Sequence, residues 1–242
     1  MFNSYQKLLL KIWRDAAEYN NETLEKLIDP AESAKVLDIG CHTGKLIKER
    51  VKNIEKPEVY GIDIDKKSVS LSKALGIKAV EGDVENDLPF KSNFFNIVVA
   101  NQIIEHLVNI DGFIKEIHRV LKTNGYLVLS TENLSSWHNI FALLLGWQAF
   151  SQHISAIKNV GNPLRVFEYK NLPRNYMHNR ILTPKGLAEL LELHGFRMEK
   201  FFGAGYYPFP PPLSRTLSKL DPTHAAFIGI KARKISLKKS RN

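Results

Sequence analysis

The sequence predicts a doubly wound α/β fold, and three observations carry that prediction. β-rich apolar runs alternate with helical patterns through the first half of the chain, the pattern of successive βαβ units. The runs are apolar on consecutive residues, as in Ile97-Val98-Val99-Ala100, because strands of a parallel sheet are buried on both faces. A length of 242 residues fits one such domain with insertions and leaves little room for a second.

Phe2, Tyr5, Leu9, Ile12, Trp13 and Ala16 recur at helical spacing, and Leu24, Leu27 and Ile28 predict a second short helix ended by Pro30. Strands are predicted over 35–39, 58–62, 77–80, 94–100 and 126–130, with helices over 44–52, 66–75 and 113–121 between most of them. After Ser130 the alternation breaks. Residues 134–180 form a long aromatic and polar segment with an apolar helix over 137–147, and an interruption of that length reads as a functional insertion. Thr183-Pro184 caps a helix that runs through Leu187, Leu190, Leu191 and Leu193 and stops at Gly195. Closing strands are predicted over 196–202 and 225–231. The segment 202–212 between them reads as a loop, since Pro210, Pro211 and Pro212 cannot donate ladder hydrogen bonds. The expected organisation is one domain over 1–242: N-terminal helices at 1–34, a cofactor-binding core at 35–133, an insertion or acceptor lid at 134–182, a C-terminal helix and strand pair at 183–233, and a basic tail at 234–242.

Composition narrows the class. Hydrophobic residues at 44% and charged residues at 24% exclude collagen-like, wholly disordered and disulfide-scaffold chains. The single cysteine, Cys41, excludes an internal disulfide and a Cys-rich zinc site. No apolar run reaches membrane-span length and none forms a signal h-region, so the expected location is the cytoplasm. The net charge of +9 is uneven: residues 231–242 hold six Lys or Arg and no acid, and the remainder has 28 basic against 25 acidic residues. The excess therefore reads as a tail that is solvated, touches phosphates, or contacts an anionic membrane.

The strand at 35–39 runs into Gly40-Cys41-His42-Thr43-Gly44 and then a helix, a turn that lets backbone approach a ligand. A dinucleotide fingerprint would put glycine at 40, 42 and 45; His42 and Lys45 fail it, so NAD is disfavoured. Asp38-x-Gly40-x-x-x-Gly44 instead resembles the first motif of class I S-adenosylmethionine-dependent methyltransferases, with His42 in place of the usual middle glycine. If that site requires positive φ, histidine carries a modest strain. Asp63 and Asp83 end the next two strands, where one carboxylate can accept ribose hydroxyls and the other an adenine amino group beside the Val84 amide; Asp65 reads as a helix N-cap. The resemblance covers residues 35–130 and extends loosely over 183–233. It implies a seven-stranded, mostly parallel sheet with helices on both faces and the last strand antiparallel. It also implies S-adenosyl-L-methionine as cofactor, with S-adenosyl-L-homocysteine as product. By its motifs Asp38, Gly40, Cys41, His42, Gly44, Asp63, Ile64, Asp83, Val84 and Asn101 surround that cofactor.

Gln102-Ile103-Ile104-Glu105-His106 follows the fourth strand, and Glu105 and His106 resemble the Glu-His pair of ubiquinone-pathway (type 11) small-molecule O-methyltransferases. They are the candidate catalytic residues, His106 as a base because its ordinary pKa suits proton transfer. Small-RNA end methyltransferases use Glu-x-x-Glu-His as metal ligands; with Gln102 in the first place, no metal is expected here. His138, His153 and His178 lie in or beside the insertion and are left as acceptor-pocket candidates. The expected partner is a small-molecule acceptor (lipid-linked, quinone-like or saccharide) under a lid of Trp137, Phe141, Trp147, Phe150, Tyr206, Tyr207 and Phe209. Trp137, Phe141, Leu144 and Leu145 share one helical face, predicted either to cover the methyl-donor crevice or to pack as core. No DNA partner is expected. An RNA acceptor held by the basic tail, a peripheral membrane contact through the tail and aromatic loop, and a non-catalytic cofactor-binding module remain the alternatives.

Overall fold

The computed structural model describes residues 4–164 and 169–235; the expectations for Phe2 and for the tail beyond Ile235 lie outside them. A single helix, α1 (Ser4–Lys26), precedes β1 (Ala31–Ile39), α2 (Lys45–Arg50), β2 (Ile54–Asp63), α3 (Lys66–Ala74), β3 (Lys78–Glu81), β4 (Phe95–Asn101), α4 (Ile110–Val120) and β5 (Leu121–Glu132). Then come α5 (Trp137–Leu144), α6 (Pro184–Leu193), β6 (Phe196–Ala204), α7 (Pro211–Leu220) and β7 (Phe227–Lys234). The seven strands form one sheet in the order β3-β2-β1-β4-β5-β7-β6, parallel throughout except for β7, which runs antiparallel to both neighbours.

Consecutive strand residues feed opposite cores, which is why the strands read as unbroken apolar runs. Leu37, Val98 and Leu127 pack with Phe113, Ile114 and Ile117 of α4 and Leu187 and Leu191 of α6. Their neighbours Val36, Val99 and Val128 pack on the other face with Leu24 of α1, Ile47 of α2 and Val69 of α3. Each fully buried aliphatic side chain is worth roughly 1.5–3 kcal/mol, and these two layers fix the strand ends where a ligand can reach them.

Three differences from the sequence reading have physical reasons. The two predicted N-terminal helices are one, because Leu24 continues the buried stripe begun by Leu9, Ile12 and Ala16 with no breaker between. β2 begins at Ile54 despite Pro57: β3 pairs only with Tyr60–Asp63, so the proline stands where one flank of β2 is uncovered. The Pro210–Pro212 run starts a helix, since Pro211 and Pro212 occupy the first turn of α7, where no N–H is needed.

Half of the expected basic excess is also structural. Lys231 pairs with Asp29 at 2.5 Å and lies over the Tyr126 ring, Arg233 pairs with Glu199, and Lys234 Nζ donates to the Leu121 carbonyl at 2.7 Å. All three belong to β7, so a phosphate anchor starting at residue 231 is corrected: these charges are committed within the fold.

Candidate active site

The C-terminal ends of β1, β2, β3 and β4 open on a cleft of about 730 Å³. Its floor is the turn after β1. Gly40 has φ +68°, where any other side chain is strained, and a Cβ there would stand 2.2 Å from Ile103 Cδ1 and have to displace it. His42 does have positive φ, 45°. Its backbone amide donates to Asp63 Oδ2 at 2.8 Å, and the Asp65 amide donates to Asp63 Oδ1 at 2.9 Å. A carboxylate offers about four acceptor positions; two are taken here, one per oxygen, which fixes the carboxylate and leaves a free position on each oxygen. Asp83 lines the same cleft beside Val84, with Oδ1 accepting the Glu85 amide at 3.0 Å. Asp65 caps α3 as expected, accepting from the Lys67 and Ser68 amides.

Of the ten residues expected around the cofactor, Gly40, His42, Asp63, Ile64, Asp83, Val84 and Asn101 line the cleft. The other three lie behind it. Asp38 is buried under the turn, and burial pushes its carboxyl up to about 6 while Arg50, 3.8 Å away, pulls it down. The Cys41 side chain is buried toward Ser72, and burial pushes its thiol up to about 11. Gly44 is a packing position, where a Cβ would stand 2.3 Å from Ile77 Cδ1. The cleft has room for a nucleoside. It also has a rigid carboxylate for a ribose diol and a second carboxylate one strand further out, so these residues fit S-adenosylmethionine.

At the far end of the cleft stands His106. Its Nδ1 lies 3.1 Å from the Met177 carbonyl; a carbonyl only accepts, so Nδ1 carries the proton and Nε2 presents a lone pair. Burial, reinforced by His178, pushes His106 down to about 4, below the value that suggested it as a base. Glu105 is 1% exposed, accepts from Thr131 Oγ1 at 2.9 Å, and leaves Oε1 without a partner. Burial pushes it up to about 7, His178 acting in the opposite direction. The insertion clamps this pair, as the Asn179 amide donates to the Glu105 carbonyl at 2.7 Å. His178 precedes Asn179, its ring 4.9 Å from that of His106, and with Glu105 these side chains offer ligand atoms within 4.8 Å of one another, a set able to hold a metal ion. Gln102, which stands where a further acid would complete a metal set, donates to Ser130 Oγ at 3.2 Å.

The aromatic insertion differs from its expectation. Trp137, Phe141, Leu144 and Leu145 are 50%, 54%, 81% and 47% exposed, and none lines the cleft. α5 buries its opposite side through Asn139 and Ala142, so the apolar face is neither core nor a cover on the donor crevice. The sequence reading also missed α1. Asn20, 2% exposed, donates to Asn101 Oδ1 and accepts from Ser130 Oγ, while Asn21 accepts from Asn101 and from Arg50. Asn20 falls on the helical stripe of Leu9, Ile12 and Ala16, and a polar residue in an apolar stripe was the available signal.

Residues 37–129 match the family described as Methyltransferase domain. The chain is 31% identical over 133 residues to a ubiquinone biosynthesis O-methyltransferase of Pelagibacter ubique, covering 51% of this chain and 55% of that one. It is 28% identical over 203 residues to a ubiquinone biosynthesis O-methyltransferase of Bradyrhizobium diazoefficiens, covering 81% and 71%. The chain thus spans about half the length of the first relative. An S-adenosylmethionine-dependent methyltransferase structure from Listeria monocytogenes superposes with TM-score 0.62 at 16% identity, covering 92% of this chain and 99% of that one, a likeness of fold. No helix among the described residues is long and apolar enough to cross a membrane.

Proposed function

We propose that the chain is a class I S-adenosylmethionine-dependent methyltransferase, a reading supported by the match of residues 37–129 to a methyltransferase domain, and that it methylates an oxygen of a small-molecule acceptor. One observation carries the reading: the Asp63 carboxylate, fixed by two backbone amides, faces the same cleft as His106. When bound, S-adenosylmethionine supplies a methyl group on a sulfonium whose departure in line leaves a neutral thioether. Asp63 would hold the ribose diol, Asp83 and the Val84 amide would hold the adenine, and the Gly40 turn would admit the donor without a side chain in its way. His106 Nε2 takes the proton from the acceptor oxygen as the new C–O bond forms, and Glu105 beside it stabilises the resulting imidazolium. Alignment and exclusion of water do the rest. We assign no metal to this step, because Gln102 stands where a further acid would complete the metal-binding set.

The acceptor reading is a lipid-linked, quinone-like or saccharide molecule. Two relatives are named for ubiquinone biosynthesis, and the exposed apolar face of α5 supports a peripheral contact with the membrane in which a lipid-linked acceptor would sit. Calorimetry with S-adenosylhomocysteine, followed by transfer of a labelled methyl group to candidate phenols and sugars, tests the reading. Absence of cofactor binding overturns it, and so does binding with no transfer to any oxygen acceptor.

A further inference from the structure

A second cavity, of about 100 Å³, lies among α1, the end of β5, α5 and the loop before α7. Contacts connect it to the cleft: Glu132 of this cavity stands 3.6 Å from His178, whose ring neighbours that of His106. Trp13, Phe150, Tyr207 and Phe227 supply aromatic walls, and Glu132 and His138 supply polar ones. Burial pushes His138 down to about 4, so it is neutral at physiological pH. No lysine or arginine lines the cavity among the described residues. Glu132 is therefore its charged group, in a setting where charge is poorly screened.

Tyr207 sharpens the chemistry. Its hydroxyl is buried and has no hydrogen-bond partner, and a buried polar group left unpaired costs about 1–3 kcal/mol. Burial and the nearby Glu132 charge raise its pKa, so it stays a neutral phenol with lone pairs to offer. Aromatic walls around one carboxylate, with an unpaired hydroxyl and no lysine or arginine in the lining, form the arrangement that attracts organic cations through ring quadrupole and charge together.

We propose that this cavity recognises an organic ammonium group carried by the methyl acceptor. The assignment to the acceptor rests on the methyltransferase reading above; the affinity for the cation does not. The ammonium lies against the aromatic walls with Glu132 as its counter-ion, and anchors the acceptor so that its nucleophile reaches the cleft past His178.

The test uses choline and its neutral isostere 3,3-dimethylbutan-1-ol, titrated into the full chain by calorimetry, with S-adenosylhomocysteine affinity measured in parallel. Choline is expected to bind about tenfold or more tighter than the isostere. Glu132→Gln should abolish that preference while leaving S-adenosylhomocysteine affinity within about twofold. Glu132→Asp, which retains the charge, should keep a preference, and Phe150→Leu should reduce it should Glu132→Gln fail to fold. Equal affinity for the two ligands, no choline binding at tens of millimolar, or a preference unchanged by both Glu132→Gln and Phe150→Leu would overturn the proposal. Choline displaced competitively by S-adenosylhomocysteine would also overturn it, by placing the cation in the cleft. Choline binding without S-adenosylhomocysteine binding would leave the cation site standing and remove the methyltransferase reading.

Discussion

The backbone amide of His42 donates to the Asp63 carboxylate at 2.8 Å, tying the unusual loop residue to the acid at the end of β2. The bond uses the main chain, so it survives loss of the imidazole. At φ 45° a histidine is strained by about 1–2 kcal/mol and glycine is not. His42→Gly is therefore expected to bind S-adenosylhomocysteine as well as the parent or better. A tenfold loss by calorimetry would make the imidazole itself a ligand contact.

Asp63→Ala removes the proposed diol acceptor and also leaves the His42 and Asp65 amides without their partner. Loss of a charged acceptor costs on the order of 1.5–3 kcal/mol, roughly 10- to 150-fold in cofactor affinity. Asp38→Asn, changing a group behind the cleft, should act through stability instead. Unchanged affinity in Asp63→Ala would remove Asp63 from the site.

Much of this was legible in the sequence, for reasons that particular residues make clear. The Gly40 turn, the strand-end acids Asp63 and Asp83, and the Thr183-Pro184 cap are local features, set by neighbours within a few positions. That Cys41 and Gly44 stand behind the cleft was not legible, because spacing gives position along the chain and not the direction a side chain takes. Cys41 turns to Ser72, 31 residues away. The pairing of His106 with His178 and of Asn20 with Asn101 joins segments 72 and 81 residues apart, which no local pattern encodes.

The acid-base pair gives opposite pH signatures. Glu105 is raised to about 7 in the fold from about 4.5, so the stability it contributes is present below pH 4.5 and is lost as pH rises through 7. His106 is lowered to about 4 from 6.5, so its contribution is lost as pH falls across that interval. Glu105→Gln should thus gain thermal stability relative to the parent at pH 8 and not at pH 4. In kinetics, kcat should rise as Glu105 ionises through about pH 7, and Glu105→Gln should flatten that limb. His106→Ala should lose about 10²-fold or more. EDTA treatment is expected to leave the rate unchanged; a loss restored by a divalent ion would assign Glu105, His106 and His178 to a metal instead.

Asn20 links α1 to the cleft by holding Asn101 and Ser130. Asn20→Ala leaves the buried Ser130 hydroxyl and the half-buried Asn101 amide oxygen short of a partner, at a cost of about 1–3 kcal/mol. Chemical denaturation should show that loss, and cofactor affinity should fall only a few-fold because Asn101 lines the cleft while Asn20 does not. Full stability in Asn20→Ala would mean that α1 docks through its apolar stripe alone.

Phe141 tests the outer face of α5. Its side chain is 54% exposed and Leu144 is 81% exposed, whereas the helix is anchored by Asn139, which donates to the Asn133 carbonyl and to Ser151 Oγ. Removing exposed apolar surface forfeits little burial, so Phe141→Ser combined with Leu144→Ser should unfold at nearly the parent temperature. Cofactor affinity should be unchanged, since neither residue lines the cleft. Sedimentation with anionic phospholipid vesicles should drop in the double variant if this face meets a membrane. Vesicle binding equal to the parent's would remove the membrane contact and leave the face as ordinary exposed apolar surface. A large loss of thermal stability would instead show that α5 packs through this face.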